Sequence, residues 1–503
     1  MQKMLVLDLG GSYGQMLARR VRECHVFSDV HPADKMDMDK IRAFAPAGIL
    51  LVGGGQERAA IDPQILSLGV PVLGIGSGCL AMVEALGGSV ARGQKLCGRT
   101  LTNLSEDAVL FAGMPPITIG WMDQEEYITA LPEGFVATAS TKEHPIVAFS
   151  DPGRQLYGTM FHPEAGHTEG GLRMLERFLK EICGAADDWT MDNILRMAVD
   201  QARERIGDRK VLMALSGGVD SSVAAALLSR AVGSQLTCLF VDHGMLRKGE
   251  GDEVEGIFTR INTHFIRVNA VERFQQALEG VTDPEQKRRV IADEFVKVFQ
   301  EEARKLGGVD FLAQGNIYPD ILEAGQGYAD VIKSHQEMRD LPDHIEFKEL
   351  IEPLRYLFKD EVRALGRTMG LPEFLVARQP FPGPGLAIRI MGTITPEKLE
   401  LLRDADHIFT SELEKAHVNQ HIAQYFAVLT DTQLYGSLDG RHPGGYTLAL
   451  RSVTTDDFAT AKWARIPYEL LDKISGQIMR EVPGISRVVY DITNKPPATI
   501  EWE

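Results

Sequence analysis

The chain has 503 residues, 44% hydrophobic and 24% charged, the composition of a soluble globular protein of about three domains. Its formal net charge of −17 argues against a general nucleic-acid binder or a membrane-surface protein, and no apolar run reaches membrane-spanning length. Five scattered cysteines (Cys24, Cys79, Cys97, Cys183, Cys238) without a C-x-x-C pair suggest neither a disulfide framework nor a zinc site; with no N-terminal signal segment in view, the expected compartment is the reducing cytoplasm.

Residues 4–9 read as a strand, followed by Gly10, Gly11 and a helix from about 15 to 23. A second strand, 48–52, ends in three glycines. A third, 70–75, ends in G-I-G-S-G (74–78) and runs into a helix from about Cys79. Strands alternating with helices predict a parallel sheet covered on both faces, with ligands at the carboxyl ends of its strands, where these glycine clusters fall. Residues 158–164 read G-T-M-F-H-P-E. The small, polar stretch 184–190 reads as a linker, and 191–206 has helical periodicity, with Asp188 or Thr190 available as a cap.

The most informative stretch is 214–222, A-L-S-G-G-V-D-S-S, between a buried strand (210–215) and a buried helix. Gly217 and Gly218 let backbone N–H groups approach a ligand, the helix N-terminus adds its positive dipole end, and Ser216, Ser221 and Ser222 add hydroxyls. This is a phosphate cradle without the lysine of a Walker A loop; in its place Asp220 brings a carboxylate, which beside phosphates calls for a cation, ordinarily Mg²⁺. The plainer alternative is a Gly-rich turn. Further strands at 236–241, 263–268 and 310–314 alternate with a long charged helix over 281–305. Asp242 stands at one strand end. G-N-I-Y-P-D (315–320) stands at another, where Gly315 lets the backbone approach a nucleobase and Asp320 either assists metal or phosphate binding or caps a turn. The run R-Q-P-F-P-G-P-G-L-A-I-R (378–389) is a stiff turn whose Arg378 and Arg389 suit a phosphate or a purine carbonyl. Charged helix over 396–414 is followed by short alternating runs that suggest a small sheet.

S-G-G-V-D-S-S resembles the pyrophosphate loop of the ATP pyrophosphatases, which cleave ATP between the α and β phosphates. The first segment, with F-H-P-E, resembles a class I glutamine amidotransferase domain. Its opening L-V-L-D-L-G-G-S-Y-G-Q-M-L-A-R-R-V-R-E, the R-Q-P-F-P-G-P-G-L run and the terminal K-P-P-A-T-I-E-W-E are similar to the GMP synthetase family. The resemblance implies an α/β protein: two parallel-sheet α/β domains, amidotransferase-like (1–185) and ATP pyrophosphatase (186–389), then a small α+β dimerisation and XMP-binding domain (390–503). It implies ATP-dependent amination of XMP to GMP through adenylyl-XMP, with ATP and Mg²⁺, in a cytoplasmic homodimer. Carried over residue by residue, it puts ATP at Ser216, Gly217, Gly218, Val219, Asp220, Ser221, Ser222, Asp242 and Gly315. Metal falls to Asp220, and XMP to Arg378, Gln433, Lys495, Ile500 and Glu501. Asp242 reads equally well as a polar strand terminus, and the tail as a packed end held by Trp502.

The sequence also departs from the family. The nucleophile elbow G-x-C-x-G is here G-I-G-S-G, so Gly76 stands where the thiol belongs, although His162 and Glu164 of the triad remain. The glutamine-pocket run S-H-G-D is replaced by Asp123-Gln124-Glu125-Glu126, whose charges are expected to repel a carboxylate-bearing substrate. Cys79 lies one helical turn beyond the elbow and reads as a small buried residue, and Ser77 offers only its backbone N–H. His162 and Glu164 read either as base and orienter or as a pair kept for packing. The stretch 336–340 after Lys333, and the surroundings of Gln433, Gly436 and 439–441, drift as well. The expectation is a synthetase that uses ammonia, free or supplied by a separate amidotransferase, in place of glutamine. A glutamine-hydrolysing enzyme with a displaced nucleophile, a catalytically silent nucleotide-binding paralogue, and adenylylation of another purine-like substrate are the alternatives.

Overall fold

The apolar runs of the sequence become the strands of three sheets. The computed structural model describes residues 2–502 apart from 12, 55–58, 261–262, 324–348, 435–443 and 456–459. The expectations placed on Lys333, 336–340, Gly436 and 439–441 therefore lie outside the described residues. The chain divides into two compact units, Met1–Ile194 and Leu195–Glu503. The division falls inside a helix, Met191–Ile206, just beyond the small, polar stretch read as a linker.

The strands of the first unit are β1 (Lys3–Asp8), β2 (Phe27–Pro32), β3 (Gly48–Gly53), β4 (Val72–Gly76), β5 (Ser89–Leu104), β6 (Ile117–Ala130), β7 (Val136–Ser140), β8 (Ala148–Asp151) and β9 (Leu156–Thr159). They form one sheet in the order β2-β1-β3-β4-β9-β8-β7-β5-β6. From β2 to β9 the pairing is parallel, as the strand–helix alternation predicts. From β9 to β6 it is antiparallel, which the sequence reading did not foresee. The long β5–β6 hairpin hides in the sequence because a register shift between Arg92 and Leu96 breaks its alternation. Helix α1 (Tyr13–Glu23) starts two residues earlier than expected and buries Leu17, Ala18 and Val21, one face at helical spacing. Strands β3 and β4 are fully buried, as are the four central residues of β1, and α3 (Ser77–Ala85), after α2 (Met38–Phe44), continues straight from β4.

In the second unit, α4 (Met191–Ile206) precedes a wholly parallel five-stranded sheet. Its strands are β10 (Val211–Leu215), β11 (Leu236–Asp242), β12 (His264–Asn269), β13 (Phe311–Ala313) and β14 (Glu349–Ile351), in the order β12-β11-β10-β13-β14. Helix α5 (Val219–Val232) follows β10, and α6 (Glu250–Phe258) follows β11. The long charged helix, α7 (Pro284–Leu306), begins three residues later than read: Asp283 accepts the Gln286 N–H as its cap (2.8 Å) and Pro284 fills the first position. Helix α8 (Lys359–Thr368) packs on α5. Helix α9 (Pro396–Lys415) starts the same way as α7, with Thr395 as cap and Pro396 next.

The last sheet is small, as expected: β15 (Gln424–Leu434) and β17 (Lys462–Trp463) pair antiparallel to β16 (Gly445–Thr454), and β18 (Ile485–Asp491) pairs parallel to it. Phe426, Val428, Ala449, Val453, Ala461 and Ile500 form a small cluster of its own on one side, and the larger core is shared. One apolar cluster runs from Val241 and Met245 through Leu386 and Ile390 to Leu402, Phe409, Leu429, Ile474 and Ile485, across the 389/390 boundary. Among the described residues no helix is long and apolar enough to cross a membrane.

Candidate active sites

In the first unit, β4 carries the chain to Gly76, which caps α3 with φ 59° and ψ −122°, a conformation that strains any residue with a side chain. A Cβ placed there would lie 2.6 Å from the Gly53 carbonyl oxygen and 2.7 Å from His162 Nε2. The elbow thus still aims its missing side chain at the histidine. His162 and Glu164 are both fully buried, with Nδ1 2.7 Å from Oε1. With Nδ1–H donating to the carboxylate, Nε2 is left as the lone-pair nitrogen, and it has no hydrogen-bond partner. Two parts of a triad are in place around an absent third.

The surroundings of this pair are closed. The Tyr13 ring stacks on His162 at 3.9 Å between centroids. The Tyr13 hydroxyl accepts the Trp121 indole N–H (3.2 Å) and donates to Asp123 Oδ2 (3.4 Å). Burial pushes the Tyr13 hydroxyl pKa up. The carboxylates expected to repel a substrate are largely paired: Asp123 meets Lys95 at 3.2 Å, and Glu125 meets Arg92 at 2.9 Å. Those cations offset part of the negative charge on this strand.

Neither neighbour replaces the nucleophile by position. Ser77 Oγ is buried over Gly53, on the β3 side of β4. Cys79 is wholly buried inside α3, and burial raises its thiol pKa well above the ordinary range, so it is a protonated core residue.

In the second unit, β10 ends at Leu215, and Ser216-Gly217-Gly218 turn the chain into α5. Gly217 has φ +78°, so the turn requires a glycine there. Two hydroxyls expected to face phosphate instead stitch the loop: Ser216 Oγ and Ser221 Oγ lie 2.9 Å apart, and Ser221 Oγ donates to the Gly218 carbonyl (3.2 Å). Ser222 is fully buried, with Oγ unpartnered. Val219 is buried in the first turn of α5. A Cβ at Gly315 would lie 2.8 Å from Ser221 N, so its small size serves close packing against the start of α5.

The Asp220 carboxylate faces outward from the first turn of α5 and is gripped by Lys359 Nζ through both oxygens, at 2.7 and 2.8 Å. The sequence reading missed Lys359. A signal was available: a lysine at the first position of a helix opposes the helix dipole and needs a local anion to hold it. Asp242, at the end of β11, accepts the Gly244 N–H (3.1 Å) and pairs with Arg267 at 2.7 Å. Beside it, burial holds the His243 pKa down, to about 4, so this imidazole stays neutral and accepts the Met245 N–H.

The residues expected around XMP fall into separate places. Arg378 lies on the phosphate loop, donating to the Gly217 carbonyl (3.2 Å) and to Glu250 (3.0 Å) and Glu253 (2.7 Å). Ile500 is buried against Phe426 and Val428, and Glu501 is paired twice with Arg389, at 2.8 and 3.0 Å. Lys495 pairs through its backbone with Ala461. Gln433 stands near the end of β15, opposite Tyr446. The tail is not loose: buried Arg451 donates to the carbonyls of Thr499 and Ile500 and pairs with Asp491.

Comparison with known proteins agrees with this layout. Residues 5–182 match the class-I glutamine amidotransferase family, 209–278 the tRNA methyl transferase HUP domain, and 411–502 the GMP synthase C-terminal domain. A GMP synthase [glutamine-hydrolyzing] of Treponema denticola is 52% identical over 508 residues, covering 100% of this chain and 97% of its own. The chain belongs to the GMP synthase family. Proteins of the same name from Acetivibrio thermocellus and Finegoldia magna are 51% and 50% identical, each covering at least 99% of both chains. Membership fixes the α/β architecture and the ligase class.

The family's implied Mg²⁺ was tested against the donors present. Among the described residues no cluster of three His, Cys, Asp or Glu could hold a metal by itself. A magnesium ion carried by ATP needs only one or two carboxylates, the phosphates supplying the rest, and Asp220 fits that role once Lys359 releases it.

Proposed function

We propose that this chain makes GMP from XMP, ATP and ammonia, and that its first unit does not hydrolyse glutamine. The observation that carries the reading is the elbow: at Gly76 there is no atom to attack with, and His162 Nε2 stands 2.7 Å from where a Cβ would be. A base without a nucleophile beside it cannot begin acyl transfer.

The phosphate loop keeps its glycines, its serines and Asp220. The 2-oxygen of XMP attacks the α-phosphate of ATP, pyrophosphate leaves, and ammonia then displaces AMP to give GMP. Mg²⁺ supplies charge neutralisation on the phosphates. The backbone N–H groups at 217–219 and the α5 dipole take up charge on the departing pyrophosphate. Asp220 holds the metal, and Lys359, freed from Asp220, meets phosphate. Ile500, Glu501 and Lys495 hold XMP, with Gln433 at the rim. The three-domain division at 185 and 389, a homodimer, and a separate amidotransferase as a source of ammonia belong to the same proposal.

A second reading rests on the intact His162–Glu164 pair, which a purely structural remnant need not keep buried and aligned: glutamine is hydrolysed with a nucleophile brought in from elsewhere. GMP formation from XMP, ATP and Mg²⁺, run with ammonium or with glutamine, separates the two. Turnover with ammonium and none with glutamine is expected. Equal rates would overturn the proposal, and no turnover with either would favour a silent paralogue.

A further inference from the structure

The signature run 378–389 grips a different partner at each end, and resting on the reading above, we propose that it is a strap whose two terminal arginines position the two substrate sites separately: Arg378 the ATP loop, Arg389 the nucleotide-binding tail. At the first end, Arg378 is nearly buried and donates to the carbonyl of Gly217, the residue whose left-handed conformation shapes the loop. Glu250 fixes the guanidinium from the other side (3.0 Å) while accepting the Arg247 N–H (3.0 Å). With its donors committed to a backbone carbonyl and two carboxylates, Arg378 shapes the loop and is not a free ligand for XMP.

At the second end, Arg389 is fully buried and makes a forked pair with Glu501. Its guanidinium lies 3.9 Å from the Phe426 ring centroid and 5.3 Å from that of Phe381. A buried, aromatic-flanked guanidinium fixes the orientation of a carboxylate far better than an exposed lysine would. Glu501 is the residue of the tail best placed to accept a base N–H, and Arg389 sets where its oxygens stand.

Between the ends the strap is anchored to the scaffold. The Gln379 side chain donates to the Tyr425 carbonyl and accepts its N–H, both at 2.8 Å. The Met245 carbonyl receives the Leu386 N–H (2.8 Å), and Met391 N donates to Leu429 (2.9 Å). Phe381 lies under Arg247, 4.4 Å from the ring centroid. Prolines at 380, 382 and 384 restrict the backbone further. A segment held this way transmits little motion, so each arginine acts on its own site.

The test compares Arg378→Gln, Arg389→Gln, Glu501→Gln and the Arg389→Gln/Glu501→Gln double variant in the full chain, with ammonium as nitrogen donor. Arg389→Gln is expected to raise the half-saturating XMP concentration at least about tenfold with the ATP dependence unmoved, and Arg378→Gln to do the reverse. The double variant should be no worse than Arg389→Gln, because both changes break one contact. Arg389→Lys should recover part of the loss. Equal shifts for both substrates in both single variants, no shift in either, or additive losses in the double variant would overturn the strap. Hydrogen exchange reads the same contacts without turnover: Arg389→Gln should expose the amides of 495–502 and Arg378→Gln those of 216–219. If the wild-type chain makes no GMP, the functional reading fails, and exchange at the two ends alone decides for or against the strap.

Discussion

Two glycine-bearing junctions between a parallel strand and a buried helix, at Gly76 and at Gly217, look alike in the backbone and opposite in chemistry. Both glycines have positive φ, 59° and 78°, and both sit at the carboxyl end of a central strand. At Gly217 the glycine is the functional part, because a phosphate cradle works through backbone N–H groups that a side chain would cover. At Gly76 an elbow would work through a side chain, so on the proposed reading glycine keeps the shape and loses the reaction. Glycine thus fits the backbone at both junctions, while on the proposed reading it suits the chemistry of only one.

The sharpest way to break this comparison is to disable the junction that is held to be complete. Lys359→Met leaves Asp220 without its ion-pair partner and removes the cation proposed to meet phosphate. GMP formation at saturating ammonium should fall by about 10²–10³-fold, as for loss of one preorganised transition-state donor. A change under about threefold would mean that Lys359 only screens Asp220.

A smaller effect is expected from trying to repair the other junction. Gly76→Cys restores a thiol at the elbow, but its Cβ must enter space within 2.6 Å of both the Gly53 carbonyl oxygen and the His162 ring. Tyr13 stacks on that ring and is tied to Trp121 and Asp123, so the histidine cannot simply withdraw. The variant should lose about 1–3 kcal/mol in a urea melt and release no glutamate from glutamine. Glutaminase activity from this single change would show that the pocket had stayed open.

How much of this was legible beforehand follows from what kind of contact each feature depends on. The phosphate loop, the elbow and the parallel strands were legible because each is local: an apolar run, a glycine, then a helix. The start of α9 at Pro396 was legible, while that of α7 was placed three residues early, since a cap and the residues before it look alike until the N–H it accepts is seen. The Lys359–Asp220 grip joins residues 139 apart, and Arg389–Glu501 residues 112 apart, so neither partner announces the other in sequence. Arg378 was read as an XMP ligand from its residue type and the family resemblance. Its two glutamate partners, Glu250 and Glu253, come from a helix that follows a different strand. The shared core across 389/390 was hidden for the same reason: Val241 and Ile485 meet only in three dimensions.

The smallest effect is a predicted absence, and it decides whether a substitute thiol exists at the emptied elbow. Cys79 is wholly buried and burial holds its thiol protonated, whereas Cys97, on the β5–β6 hairpin, is exposed. Reactivity follows thiolate fraction and access together, and Cys79 lacks both. A bulky disulfide reagent added to the native protein should therefore modify Cys97 and spare Cys79, with ammonium-dependent GMP formation unchanged. Peptide mapping after brief exposure reads this directly. Rapid labelling of Cys79, slowed by glutamine, would mean that α3 opens to bring a thiol to His162. The two junctions would then differ in where the reacting group is stored, and no longer in whether one exists.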